Sequence, residues 1–230
     1  MIGKVTRLLA VLCALTGIFS VFAYYIEPKP ADLPFEDQQV WKHRQNEPEL
    51  ANLAIDQGFS GIELDVTFLN GDLYIAHDPS EYEGAVLLRD YLAKLNDGGS
   101  KLFLWLDIKN INLFNEGAIT KQLLSMGVSD RMLVETPRPF FMFRLCSSGL
   151  LCTVWVKRNN TIIARAWYRI WINLLSHYGR VGAISVEYNS YELADQIVPE
   201  GFPKLLYTLP AGSDLDGWRK EKNVRVLLTD

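Results

Sequence analysis

The feature that most restricts how this chain can fold is an alternation of short, β-rich apolar runs with helix-like segments, sustained from Gln38 to residue 230. The runs are Gln39–Lys42, Gly61–Phe68, Leu73–His77, Leu102–Ile108, Met132–Glu135, Cys152–Val156, Ala183–Glu187, Lys204–Thr208 and Val224–Leu228. The helix-like segments are Glu47–Gln57, Leu87–Asn96, Phe114–Met126, Pro139–Leu145, Ile162–Leu175, Tyr191–Ile197 and Leu215–Glu221. Strands that alternate with helices argue for a parallel sheet. Asn70-Gly71 is a hairpin turn, so Thr67 to His77 reads as a hairpin and eight βα-type strands remain. Eight such units predict an α/β fold, a compact (β/α)8 barrel of the TIM-barrel kind, with its site at the C-terminal ends of the strands. About 190 residues do here what typically takes ~250, so the loops must be short.

Two segments precede the alternation. Residues 1–27 read as a signal anchor or transmembrane segment. Lys4 and Arg7 precede the uncharged apolar run Leu8 to Ile26, whose 19 residues approach the ~20 that span a bilayer. Positive charge on that flank predicts that the rest of the chain is translocated, with the domain on the extracytoplasmic (periplasmic or extracellular) side. Tyr24-Tyr25 reads as an interfacial anchor, while Val21-Phe22-Ala23 offers the alternative of cleavage near Ala23 and secretion. Residues 28–37, with Pro28, Pro30 and Pro34, read as a linker, and residues 38–230 as the barrel. A net charge of −4 without a basic block argues against a nucleic-acid binder. Three cysteines are too few for a disulfide scaffold. Cys13 lies in the apolar run, and Cys146 and Cys152 are open to pairing or to remaining buried thiols.

Polar residues close several of the predicted strands: His43-Arg44, Glu63 with Asp65, Asp107 with Lys109, Glu135 and Glu187. Within Gly61-Ile62-Glu63-Leu64-Asp65-Val66 the two acids are two apart, so on a strand they face the same way. Two carboxylates crowded on one face repel, and need a cation or a shared proton between them. A hard metal with oxygen ligands is the ordinary answer. His43 and the pair His77-Asp78 add acid–base groups, and Arg44 an anion clamp. These are the parts of a metal-dependent phosphoesterase. A lone Glu-x-Asp is usually a solvent-facing stripe; its conjunction with His43-Arg44 and His77-Asp78 carries the metal reading. Glu135 can instead pair with Arg131 or Arg138. Glu187 reads as a plain polar strand end, and His177 as an exposed loop residue.

These motifs resemble the glycerophosphodiester phosphodiesterase family, a branch of the phosphodiesterase TIM barrels. The family's opening His-Arg-Gly reads His43-Arg44-Gln45-Asn46 here, its Glu-x-Asp strand reads Glu63-Leu64-Asp65, and a His-Asp pair follows at His77-Asp78. Its Glu-x-Lys strand reads Asp107-Ile108-Lys109, and its closing Thr-Asp reads Thr229-Asp230. The resemblance implies that Glu63, Asp65 and Glu135 bind a divalent cation, Ca²⁺ or Mg²⁺. It makes His43 and His77 the acid–base pair, and Arg44 and Lys109 the phosphate clamps. Asn46 is the candidate stand-in for the asparagine of a missing Pro-Glu-Asn-Thr element, Asp78 orients His77 or caps its turn, and Asp107 supports the site. The chain departs from the family at Gln45, where glycine is usual, at Asp107, where glutamate is usual, and at Tyr207, where tryptophan is usual; this is the pattern of a divergent branch.

The activity implied is hydrolysis of glycerophosphodiesters or lysophospholipids by a metal-dependent, two-histidine mechanism. Two alternatives stand beside it. One is a lyase-type phospholipase that ends at a cyclic phosphate. The other is a catalytically silent barrel that binds a phospholipid headgroup or a protein partner. Finally, Ile162 to Tyr178 interleaves Trp167, Tyr168 and Trp171 with Arg165 and Arg169. It reads either as a helix packed on the barrel or as one lying at a membrane interface.

Overall fold

The structure, a computed structural model, describes residues 24–81, 83–95, 102–158, 161–210, 212–218, 220–221 and 223–230, together with residues 17 and 21. The predicted membrane segment, with Lys4, Arg7 and Cys13, falls almost wholly outside the described residues. Among the described residues no helix is long and apolar enough to cross a membrane.

The strands are β1 (Gln39–Lys42), β2 (Gly61–Leu69), β3 (Asp72–Ile75), β4 (Phe103–Ile108), β5 (Met132–Glu135), β6 (Leu151–Val156), β7 (Val181–Glu187), β8 (Lys204–Leu209) and β9 (Val224–Thr229). Only β3 is antiparallel: it folds back on β2 through Asn70-Gly71, with φ of 52° and 93°. Two successive positive φ values are what a two-residue hairpin needs to match the twist of its strands. The other eight pair in parallel, and β1 contacts both β2 and β9, so the sheet closes into a barrel. Outside it lie α1 (Pro48–Asp56), α2 (Leu88–Ala93), α3 (Glu116–Ser125), α4 (Phe143–Ser147), α5 (Ile162–Tyr178), α6 (Tyr191–Ala194) and α7 (Leu215–Trp218).

The economy of length is found in the helices, since α6 and α7 are one turn each. The helix expected over Pro139–Leu145 is divided. Pro139–Phe141 forms a tight turn with i→i−3 bonds, Phe141 N to Arg138 O and Met142 N to Pro139 O, and α4 begins only at Phe143.

Strand alternation sorts the side chains. On β2, Ile62, Leu64 and Val66 face outward into the main core against the helices, leaving Gly61, Glu63, Asp65 and Thr67 to point into the barrel. Inside, Trp41, Trp105, Leu133, Leu151, Ala183, Leu205, Val226 and Leu228 form a separate apolar cluster, drawn from seven of the eight barrel strands. Strand β2 contributes a glycine there: a Cβ on Gly61 would fall 2.4 Å from the Trp41 ring. Each fully buried indole removes roughly 150–250 Å² from water, about 4–6 kcal/mol of transfer free energy before entropy is subtracted.

The proline-rich segment finishes this lower layer. Ala31, Leu33 and Phe35 pack on the interior cluster, and Ala31 N donates to Val181 O at 2.7 Å, at the start of β7. The Phe35 ring lies 5.6 Å from Trp41 and 5.2 Å from Phe103. This segment covers the N-terminal end of the barrel, and a cleft opens at the C-terminal ends of the strands. Cys146 and Cys152 are free, buried thiols; burial and the neighbouring Cys146 push the Cys152 thiol up.

Candidate active site

The inward row above the apolar layer is polar because strand alternation continues upward. Strands β2, β4 and β5 lie side by side, and their register sets Asp65 opposite Asp107 and Asp107 opposite Glu135. Glu63 sits one inward position below Asp65. Carboxylate oxygens of Glu63, Asp65 and Asp107 lie within 4.8 Å of one another. Glu135 is buried in the same row, but its carboxylate accepts a hydrogen bond from Ser185 Oγ on β7. Among the described residues two groups stand close enough to share an ion: Glu63, Asp65 and Asp107 inside the cleft, and the exposed His77, Asp78 and Glu81, of which His77 lines the same cleft. The sequence reading named Glu135 as third ligand and gave Asp107 a supporting part.

The protein manages this concentrated charge with a lysine and several hydrogen bonds. Lys109 Nζ stands 2.7 Å from Asp65 Oδ1 and 2.5 Å from Asp107 Oδ2. Asn46 grips Asp65 twice: its Nδ2 donates to Asp65 Oδ2 at 2.9 Å and its Oδ1 accepts from Asp65 N at 3.0 Å. The backbone N of Arg44 donates to Glu63 Oε2 at 2.9 Å. Arg44 reaches that position only in the left-handed region, at φ 50°, a conformation that is costly for a residue with a Cβ.

The titration of the group follows from these contacts. Burial, then repulsion from Asp65 and Asp107, pushes Glu63 up to about 8. Burial would also raise Asp65, but the Lys109 charge and the hydrogen bonds from Lys109 and Asn46 outweigh it, and its carboxyl is held below the usual range. Asp107 ends up raised, since burial there exceeds the help of Lys109. Glu135 is raised strongly by burial and by Asp107. Lys109 is desolvated, yet Asp107 and Asp65 hold it firmly protonated.

Both histidines line the same cleft, of about 310 Å³, with Arg44, the carboxylates, Trp155 and Tyr207. His43 Nδ1 lies 2.7 Å from Asp230 Oδ1, and its Nε2 lies 3.8 Å from Glu63 Oε2. A carboxylate only accepts, so Nδ1 carries the proton and Nε2 faces the cleft. His77 is the more open of the two, with 44% of its side chain exposed against 12% for His43. Its Nδ1 lies 3.0 Å from Asp78 Oδ2, and Asp78 also closes the following turn, its backbone N donating to Glu81 Oε2 at 3.2 Å. The guanidinium of Arg44 makes no hydrogen bond or ion pair among the described residues and lines the cleft. Lys109, read from the sequence as a second phosphate clamp, is occupied by the two aspartates.

Sequence reasoning missed Asp230 as the partner of His43, Ser185 as the partner of Glu135, and the cleft wall of Trp155 and Thr208. Trp155 Nε1 donates to the Tyr207 hydroxyl. Thr208 adopts φ 58° where β8 slips register against β9 between Leu206 and Leu209; no sequence signal marks that bulge. Inward parity on β6 and β7 was the available signal for Trp155 and Ser185.

The residues fit a hard divalent cation. The donors are all oxygens, Asp107 Oδ1 is buried with no hydrogen-bond partner among the described residues, and burial and the neighbouring carboxylates raise Glu63, which a bound cation would counter.

Fold and site together define a (β/α)8 barrel with an acidic, two-histidine mouth. No family model and no curated protein matches the sequence. Solved structures do match in fold. A glycerophosphodiester phosphodiesterase from Parabacteroides distasonis superposes with a TM-score of 0.63 at 15% identity, covering 85% of this chain and 93% of that one. A phosphodiesterase from Oleispira antarctica, in complex with the product sn-glycerol-3-phosphate, gives 0.59 at 15%, covering 83% and 92%. A calcium-dependent phosphoinositol-specific phospholipase C from Pseudomonas sp gives 0.58 at 11%, covering 90% and 93%. At these identities the likeness is one of fold.

Proposed function

We propose that this chain is a phosphoric diester hydrolase, a divergent relative of the glycerophosphodiester phosphodiesterases, acting on a glycerophosphodiester or a lysophospholipid. The observation that carries this reading is the meeting in one cleft of two carboxylate-paired histidines with three carboxylates that call for a cation. A fold shared with enzymes that cleave such esters supports it.

In this reading Arg44, whose guanidinium has no partner among the described residues, takes the phosphate oxygens bidentately. His43, its tautomer fixed by Asp230, accepts a proton at Nε2 from the attacking hydroxyl. His77 stands nearer solvent, where an alcohol departs, and protonates the leaving oxygen. Asn46 and Lys109 hold Asp65 ionised and aimed. Glu63, Asp65 and Asp107 would hold Ca²⁺ or Mg²⁺, which offsets phosphate charge and polarises the P–O bond. Calcium dependence in the Pseudomonas phospholipase C supports a hard cation. The apolar run Leu8 to Ile26 supports a membrane anchor with the barrel on the extracytoplasmic side.

One observation favours a second reading. Lys109 already supplies a positive charge between Asp65 and Asp107, as a barrel that binds a headgroup without cleaving it could use in place of a metal.

The test incubates the detergent-purified full chain with glycerophosphocholine, glycerophosphoethanolamine or lysophosphatidylcholine, plus Ca²⁺, Mg²⁺ or chelator, and follows products by phosphorus NMR. Metal-dependent turnover that is lost in His43→Ala/His77→Ala is expected. A cyclic phosphate as final product selects the lyase version, and absence of turnover with every substrate selects the silent barrel.

A further inference from the structure

We propose that one sector of the barrel mouth, built by the loops after β4, β5 and β6 and the first turns of α5, docks on an anionic lipid surface. The first observation is charge. Between Thr136 and Val186 the sequence has seven Lys or Arg and no Asp or Glu, in a chain whose net charge is −4. Of these, Arg138, Lys157, Arg158, Arg165 and Arg169 lie in the loops after β5 and β6 or on α5, while Arg180 precedes β7 at the opposite end of the barrel.

The second observation is where apolar side chains are left bare. Phe114 is 95% exposed, Ile162 78%, Ile163 83%, Trp167 51% and Phe140 43%. Phe114 follows β4, Phe140 follows β5 and the two isoleucines follow β6, three neighbouring strands. All the loops concerned leave the C-terminal ends of their strands, so these residues gather at the open end. Helix α5 extends the patch. None of residues 162–171 is buried, whereas Ile172, Asn173, Leu175 and Ser176 are. Its N-terminal half is partly covered, with Tyr168 and Trp171 packed against the main core and Ile162, Ile163 and Trp167 left exposed. Rings run along this edge without a break: Phe141 to Phe140 at 4.1 Å, Phe140 to Trp171 at 6.3 Å, Trp171 to Trp167 at 5.6 Å. The edge adjoins the cleft, whose wall includes Pro137 from the loop after β5 and Trp155 from β6. Exposed apolar side chains framed by Arg and Lys are the composition that seats a helix at an anionic lipid interface.

The third observation ties this face to the N-terminal segment. Asn173 Nδ2 donates to Tyr24 O at 3.2 Å, and the Arg169 guanidinium lies 4.8 Å over the Tyr24 ring. Tyr24, near the end of the apolar run, thus contacts α5, the helix that carries the patch. On the hydrolase reading above, on which this last step alone rests, the docked mouth meets a phosphodiester carried by a lysophospholipid.

The test places the full chain in nanodiscs of phosphatidylcholine, with or without phosphatidylserine, whose acyl chains are brominated, and reads tryptophan quenching. Quenching should be strong with phosphatidylserine, weaker without it, and largely lost in Trp167→Phe and in Arg158→Glu/Arg165→Glu. Quenching that is unchanged in Trp167→Phe would overturn the proposal, and quenching that ignores phosphatidylserine would overturn its anionic part. An oligomer in detergent that Ile163→Glu converts to a monomer, with Trp167 unquenched, would give the face to a second copy of the chain and likewise overturn it. No turnover is read, so a silent barrel passes or fails on the same terms as an active one.

Discussion

Asp230, one residue past the last strand, holds the imidazole of His43, one residue past the first, with Oδ1 2.7 Å from Nδ1. The contact exists because β9 pairs with β1 and closes the barrel; His43 N also donates to Thr229 O at 2.9 Å. An asparagine at 230 would keep the shape but lose the negative charge, and its amide can present either NH2 or C=O to Nδ1, so neither the tautomer of His43 nor its imidazolium form is held. Asp230→Asn should therefore lower kcat by about 10²–10⁴-fold with little change in KM. Steady-state kinetics on the preferred ester would check this, and an unchanged kcat would remove His43 from the base role.

Lys109 lets Asp65 and Asp107 coexist when no cation is bound. Replacing it with the similarly sized but neutral methionine leaves the two carboxylates facing each other. In chelator, Lys109→Met should be less stable than the parent chain by up to about 3–5 kcal/mol, the cost of breaking a buried ion pair. Ca²⁺ or Mg²⁺ should restore most of the loss and bind the variant more tightly. Melting curves with and without cation decide the matter; equal stabilisation of both proteins would mean that Lys109 and the ion do not share a site.

Glu63 makes stability depend on pH in a definite direction. Its folded carboxyl titrates at about 8 against an ordinary 4.5, so between those values the folded state carries a proton that the unfolded state has released. Stability from this group is full below 4.5, falls as pH rises, and is lost above about 8. Chelated protein should melt progressively lower across that window, and Glu63→Gln should flatten the slope. Cation binding must expel the same proton, so affinity for Ca²⁺ or Mg²⁺ should rise with pH up to about 8. A parent slope no steeper than that of Glu63→Gln would count against the shared burial of this group.

The barrel floor offers a purely structural test. Gly61→Ala puts a methyl group 2.4 Å from the Trp41 ring, and overpacking of this kind costs about 1–3 kcal/mol. A chain begun at Gln38 loses Ala31, Leu33 and Phe35 from the interior cluster and should melt below one begun at Pro28. Differential scanning calorimetry of the three proteins measures both effects.

Much of the barrel was legible in the sequence. The run Gly61 to Phe68 carried its own period and the Asn70-Gly71 turn its own conformation, and β1 and β5 begin and end where the runs did. The α4 region was not, because Pro139, Phe140 and Phe143 satisfy a helical pattern while the bonds actually formed are i→i−3. Nor was the floor: Ala31, Leu33 and Phe35 look like linker residues until a ring of inward side chains exists for them to cover.

What the sequence by itself determined is parity. Glu63 and Asp65 share a face, and so do Asp107 and Lys109, because strand side chains alternate whatever the strand pairs with. His43-Arg44 and His77-Asp78 were likewise fixed as strand-end or turn residues by their local context. What only the tertiary structure decided is register and closure. Parallel pairing set Asp65 beside Asp107 and Asp107 beside Glu135, drew Lys109 between the two aspartates, and turned Glu135 toward Ser185 across the barrel. Closure brought Asp230 to His43 over 187 residues of chain. Register and closure depend on which strands become neighbours, a global minimum of burial and hydrogen bonding that no local run of residues encodes.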